Sequence, residues 1–273
     1  VAILRGGKEA KNSNIAISNL IREGLRKADF PADTVIMLEK TEHEVVDMLL
    51  GMHQYIDLVI PRGGESLIKT VVEKSKIPVI KHDKGVCHIF VDESAYKTMA
   101  ESIVVNAKCQ RPSVCNAMET LLVHNNYPYI KELISKLLEL NVEIFACENL
   151  RKIFPSLNPA TEENYYTEYL DYRMSAKIVN DVKEAVEHIN KYGSHHSDAI
   201  VSENYSNIQY FLSRVDSAAV YANASTRFTD GGEFGLGAEI GISTQKLHVR
   251  GPMGLEGLTT EKWIVYGNGQ IRE

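Results

Sequence analysis

Cysteine is scarce in this chain, tryptophan is nearly absent, and no apolar run is long. The four cysteines, Cys87, Cys109, Cys115 and Cys147, have neither metal-ligand spacing nor the density of a disulfide scaffold. They read as thiols of a reducing compartment, so a cytoplasmic location is expected. No stretch approaches the roughly 20 apolar residues of a membrane helix, and neither a membrane nor a secretory route is expected. There is no basic cluster interleaved with aromatics. With 30 basic against 36 acidic residues and a net charge of -6, nucleic acid is excluded as a partner. Internal repeats and low-complexity tracts are missing too.

What remains is an ordinary globular composition. The 273 residues are 44% hydrophobic, enough for one large domain or two smaller ones. Short apolar runs alternate with helical periodicity, which predicts a parallel sheet covered by helices. Strands are expected at 1–4, 35–38, 57–61 and 77–80, with helices at 12–27 and 67–74 between them. Thr41 and Glu44 have the spacing of a capping box. A second α/β stretch follows, with strands expected at 120–124, 142–146, 175–179, 198–202 and 218–221 and helices at 94–107, 127–140, 181–192 and 206–213. Residues 231–257 are glycine-rich and irregular, and loops of that length usually carry function. The run 262–266 reads as a terminal strand holding the only Trp. Val1 opens directly into a strand pattern, so a preceding segment is expected.

One residue stands out chemically. Cys115 lies in the run CQRPSVCNA at 109–117, between a helix and a strand, with Lys108 and Arg111 nearby. Cationic neighbours favour the reactive thiolate, while a small apolar thiol is equally at home as a buried structural residue. Spacing alone leaves both readings open.

Seven runs taken together favour the catalytic reading. They are LRGGKEA at 4–10, IPRGG at 60–64, GVCH at 85–88, CQRPSVCNA at 109–117, NASTRFTD at 223–230, FGLGAEIGIST at 234–244 and RGPMG at 250–254. In this order they resemble the gamma-glutamyl phosphate reductases of the aldehyde dehydrogenase superfamily, over essentially the whole chain. The resemblance implies that about the first third of a full-length reductase is absent. It implies an aldehyde dehydrogenase-like α/β fold: a partial Rossmann-like cofactor domain over 1–88, an α/β catalytic domain over 89–258 and an oligomerisation strand within 259–273.

The implied reaction is NADPH-dependent reduction of L-glutamyl 5-phosphate to glutamate 5-semialdehyde, releasing phosphate and NADP+, in proline biosynthesis. Cys115 stands at the nucleophile position and would form a thioester, which divides one hard step into two easier ones. Cys109 reads as packing. Oxidative superfamily members carry a water-activating Glu where this chain has residues 80–85 (IKHDKG). Its absence suits a reductase, and His82 there is a candidate substrate contact or a surface residue. Arg5 and Lys8 fall at the cofactor ribose, where cations suit a 2′-phosphate. Gly63 and Gly64 open a helix whose amides attract pyrophosphate, and Glu168 matches the Glu that holds the nicotinamide ribose. Arg111 and Arg227, with Ser225 and Thr226, are the expected substrate contacts; Lys246, Arg250, Ser243 and Thr244 are further candidates. The implied partners are the small-molecule substrate, further copies of the chain, and functional coupling to a glutamate 5-kinase. Two other readings compete: an NAD-dependent aldehyde oxidation, and a non-catalytic fragment or assembly module of the same fold.

Overall fold

The computed structural model describes residues 1–81 and 84–272. The chain divides into two compact units, Val1–Val79 and Ile80–Glu273.

In the first unit, strands β1 (Ala2–Arg5) and β2 (Val35–Leu38) pair in parallel, Ala2 opposite Val35 through Arg5 opposite Leu38. Helix α1 (Lys11–Lys27) makes the crossover. Its Arg22 ties down the return, with Nη1 donating to the carbonyls of Ala32 (3.0 Å) and Val35 (2.6 Å). Helices α2 (His43–Gly51) and α3 (Glu65–Lys74) follow. The capping box expected of Thr41 and Glu44 does not form. Glu42 is the N-cap and makes no side-chain cap bond, while the Thr41 carbonyl accepts from Arg5 Nη2 at 2.5 Å. The strands expected at 57–61 and 77–80 contract to one parallel bridge between Val59 and Val79. Pro61 and Pro78 have no N–H for a longer ladder.

The second unit is a three-layer α/β sandwich. Strand β3 (Cys87–Val91) leads through α4 (Lys97–Cys109) to β4 (Met118–His124), then α5 (Ile130–Glu139), β5 (Glu143–Ala146), α6 (Glu148–Ile153) and β6 (Asn158–Pro159). Helix α7 (Glu162–Tyr166), β7 (Arg173–Val179), α8 (Val182–Tyr192), β8 (Ser197–Val201), α9 (Tyr205–Arg214) and β9 (Ala219–Ala222) complete it. The sheet order is β6-β5-β7-β4-β3-β8-β9, and every pairing is parallel. Residues 87–91, 118–124 and 197–201 are buried throughout. Parallel strands covered on both faces have no solvent side to populate with polar residues.

One face carries α4, α5 and α6, whose Ala100, Val104, Leu133, Leu137 and Leu150 pack on Ile89, Leu121 and Ala176. The other carries α8 and α9, with Val186, Ile189 and Phe211 against Phe90, Leu122 and Ile200. Each such fully buried aliphatic or aromatic side chain contributes roughly 1.5–3 kcal/mol. Helix α8 begins at Asp181, whose carboxylate accepts from the amides of Lys183 and Glu184, both at 2.9 Å. That is the cap expected from the sequence. Helix α5 stops at Asn141, which takes a left-handed φ of 59°.

Beyond β9 the chain is irregular, apart from a two-stranded antiparallel ribbon of β10 (Ile242–Ser243) and β11 (Gly251–Pro252). The terminal strand expected over 262–266 does not form in the single chain. Those residues join no ladder among the described residues, and Trp263 is 97% exposed. A strand requires a neighbour to pair with. Among the described residues, no helix is long and apolar enough to cross a membrane.

Candidate active site

Because the sheet is parallel, all its strands begin on one edge. Cys115 lies in the turn before β4, Gly85 just before β3, Glu168 in the loop before β7 and Ser194 just before β8. The loops bearing the candidate chemistry therefore gather at the amino edge of the sheet.

Cys115 is half-buried, and its main chain is fixed from below. The thiol of Cys87 donates to the Cys115 carbonyl at 3.2 Å. Gly85 packs so close that a Cβ there would overlap the Cys115 carbonyl oxygen and lie 2.6 Å from its carbonyl carbon. Only glycine allows this approach. The two thiols differ sharply. Cys87 is fully buried, and burial first, then the charges of Asp198 and Cys115, push it well above the usual thiol range. It stays protonated and serves as a donor. Cys109, the last residue of α4, is also raised, by burial, and packs against the core.

Arg227 reaches this turn from the far end of β9. The chain reverses at Asn223, which has φ 56° and exchanges bonds with Ser202, N–H to Oδ1 and Nδ2–H to carbonyl, both at 2.9 Å. It then runs back to the amino edge as the short helical turn Thr226–Phe228. Arg227 Nε donates to Gln110 Oε1 at 2.8 Å, and Nη1 donates to Asn116 Oδ1. Burial and the neighbouring Arg111 hold the Arg227 guanidinium below its ordinary pKa, while Cys115 and Asp230 pull it back up. Two cations and the thiol thus share one corner. Ser225 and Thr226 lie beneath it. The Ser225 hydroxyl accepts from the Arg227 amide (3.3 Å), and that of Thr226 donates to the Asn116 carbonyl (2.7 Å). These hydroxyls support the turn, where substrate contacts were expected of them.

Lys108 does not act as the expected cation beside the thiol. It is fully buried and its Nζ donates to Glu119 Oε2 at 2.7 Å. Glu119 Oε1 accepts from the Leu170 amide at 3.2 Å. Burial outweighs this pairing and raises the Glu119 carboxyl to about 7, with Glu168 adding to the rise. Glu168 sits in the same loop as Leu170, and its Oε1 accepts from the Gly85 amide at 2.8 Å. The Glu168 loop is therefore bonded to the residue that seats Cys115. Lys246 and Arg250 are engaged elsewhere, both paired with Asp216 at 2.6 and 3.0 Å. His82 lies outside the described residues.

The other cofactor candidates belong to the first unit. Lys8 is exposed at the start of a short 3-10 turn. Arg5 Nε is buried without a hydrogen-bond partner among the described residues. Gly64 is the N-cap of α3, with no side-chain cap bond and open space where a Cβ would sit. An uncapped helix start and an orphaned guanidinium N–H fit an anionic, phosphate-bearing group.

No family model matches the chain. Comparison with curated proteins is decisive. The gamma-glutamyl phosphate reductase of Carboxydothermus hydrogenoformans is 56% identical over 272 residues, covering 99% of this chain. The chain belongs to the gamma-glutamyl phosphate reductase family. It spans 66% of that relative's length. The crystal structure of the Thermotoga maritima reductase superposes with a TM-score of 0.96 at 49% identity, over 99% of this chain and 66% of that one. A propionaldehyde dehydrogenase from Clostridium phytofermentans shares the fold alone, with a TM-score of 0.68 at 16% identity over 92% of this chain and 66% of its own.

Within this family frame, the structure brings Cys115, Arg111, Arg227 and Glu168 together at one edge and leaves Arg5, Lys8, Gly63 and Gly64 in the other unit. Sequence reasoning did not single out Gly85, Cys87, Gln110, Asn116 or Glu119. Gly85 and Cys87 stand in the GVCH run, and Gln110 and Asn116 bracket residues 111–115. Their roles arise from hydrogen bonds across the fold, which adjacency does not reveal.

Proposed function

We propose that the protein, in its complete form, reduces L-glutamyl 5-phosphate to L-glutamate 5-semialdehyde with NADPH, releasing phosphate, as a step of proline biosynthesis. The observation that carries this reading is the Cys115 turn, with its thiol beside Arg227 and Arg111 and its carbonyl held by Cys87. The Cys115 thiolate attacks the acyl carbon, the C–O bond to phosphate breaks, and a thioester remains on sulfur. Arg227 and Arg111 supply positive charge for the departing phosphate, and a guanidinium suits its planar, bidentate recognition. When bound, NADPH supplies a hydride to the thioester carbonyl carbon. Collapse of the resulting thiohemiacetal frees the aldehyde and returns the thiolate.

Glu168, fixed by the Gly85 amide, is the contact for the nicotinamide ribose. Arg5, Lys8 and the start of α3 at Gly63 and Gly64 are the contacts for the phosphates, with Lys8 favouring a 2′-phosphate. The domain limits proposed are 1–88, 89–258 and 259–273, in the cytoplasm, and the terminal segment mediates assembly of copies. Coupling to a glutamate 5-kinase fits an acyl phosphate that water hydrolyses readily.

The test is kinetic. Cys115→Ser in the intact protein is expected to abolish reduction while binding NADPH as the parent does; near-normal turnover would overturn the reading. Lys8→Glu is expected to erode the NADPH preference at least tenfold, since a charge-assisted bond to phosphate is worth roughly 1.5–3 kcal/mol. Equal kcat/KM for NADPH and NADH in the parent would remove the assignment of Lys8.

A further inference from the structure

We propose that Gln110 and Asn116 are positioning residues: they clamp the Arg227 guanidinium across the nucleophile turn and aim its remaining N–H donors at the reacting groups. The two amides bracket the segment 111–115, Gln110 at the end of α4 and Asn116 directly after Cys115. They take different nitrogens of one guanidinium, Nε by Gln110 at 2.8 Å and Nη1 by Asn116. A planar group held at two nitrogens has its plane fixed. Among the described residues, Nη2 makes no hydrogen bond, so its two N–H groups, with the second N–H of Nη1, are the donors left for an anion.

The amide of Asn116 is itself oriented without ambiguity. Its Nδ2 donates to the carbonyls of Thr229 (3.0 Å) and Arg227 (3.4 Å). Its Oδ1 must therefore face the guanidinium. Thr226 adds a bond to the Asn116 carbonyl at 2.7 Å, so the turn carrying Arg227 and the turn carrying Cys115 are laced into one body. Neutral amides suit this task. A carboxylate at either place would neutralise Arg227, and at residue 116 it would also face two carbonyl oxygens and stand beside the thiolate.

The proposal rests on Cys115 as the nucleophile, but its test needs no turnover. Cys115 alkylation by iodoacetamide is followed against pH by peptide mass spectrometry. Among the described residues, the charged and titratable groups facing this corner include Arg111 and Asp230 beside Arg227, Cys87 with Asp198 and Glu119 on the sheet side, and Glu168 on the Gly85 amide. Gln110→Ala is expected to slow alkylation at pH 7 about threefold and Asn116→Ala about tenfold, by moving the midpoint up by about half a unit and one unit. Rates above the thiol titration should stay unchanged. In an Arg227→Ala background, Gln110→Ala is expected to add nothing, an outcome that loss of general stability would not produce. Gln110 is exposed, so its variant decides the matter if Asn116→Ala fails to fold. A parent-like profile for Gln110→Ala, or for Arg227→Ala, would overturn the proposal. If the profile shifts as expected while Cys115→Ser still turns over, the positioning stands and the functional reading falls.

Discussion

Gly85 and Cys115 touch main chain to main chain, so closely that a single methyl group on Gly85 would occupy the position of the Cys115 carbonyl oxygen. No flexible side chain stands between them to yield. Gly85→Ala must therefore push the Cys115 turn outward or break the Glu168 bond to the residue 85 amide. A displacement of about 1 Å at a reacting group costs on the order of 10²-fold in rate. The expected result is a loss of kcat of that order with a folded protein and little change in NADPH affinity. Parent-like kcat would show that the turn tolerates the shift.

The buried Lys108–Glu119 pair predicts a thermodynamic asymmetry. Both side chains are 0% exposed and 2.7 Å apart. Lys108→Met strands Glu119 away from water, and losing one partner of a buried pair costs about 3–5 kcal/mol. Lys108→Met with Glu119→Gln retains an acceptor for the Leu170 amide and removes both charges, so the double variant is expected to recover at least half of that loss. A double-mutant cycle from urea unfolding measures this. Additive losses would mean that the two groups do not act as a pair.

His188 predicts a pH dependence. It is 4% exposed, neither ring nitrogen has a hydrogen-bond partner among the described residues, and it packs against Tyr165 and Tyr192 with centroids 4.9 and 4.4 Å away. Burial, reinforced by His88, Lys177 and Lys191, pushes its pKa down from 6.5 to about 2. The sign follows from the unfolded chain binding the proton and the folded chain refusing it. The stabilisation is complete above pH 6.5 and is lost as pH falls from there toward 2, by up to about 1.4 kcal/mol per pH unit. His188→Phe should flatten that slope between pH 6.5 and 5. An unchanged slope in urea midpoints would assign the acid sensitivity to other groups.

The terminal segment predicts assembly. Trp263, Val265 and Tyr266 are 97%, 86% and 94% exposed, which is unusual for a contiguous apolar run. Deleting residues 261–273 from the intact protein is expected to reduce the mass seen by light scattering to that of a smaller oligomer or monomer. An unchanged mass would place the interface elsewhere.

Much of the second unit could be read from its apolar runs, because strands buried on both faces leave long hydrophobic signatures. Strands β4, β7 and β8 lie within two residues of expectation. Strand β3 was missed although it is central. It carries a buried polar residue, His88, whose amide (2.7 Å) and Nδ1 (3.1 Å) both bond Asp198 from another strand. The first unit was over-read for the opposite reason, since apolar runs at 57–61 and 77–80 contain prolines that end a ladder. At the proposed site, only Cys115 and its cationic neighbours draw attention in the sequence, through the CQRPSVCNA run. Lys108 was misjudged because nearness in sequence carries no sign of burial, and its charge is spent on Glu119. The clamp on Arg227 joins residues 117 positions apart, a distance over which local pattern is silent.

The gathering of reactive groups on the amino edge leaves the opposite edge of the sheet with no part in the proposed chemistry. The turn at Asn125 and Asn126, both exposed directly after β4, lies a full strand length away from Cys115. Strand β4 thus acts as a rigid spacer, with a reactive end and a permissive end. The permissive end offers a place to graft a tag, a fluorophore or a tether to a second enzyme while the thiol turn stays untouched.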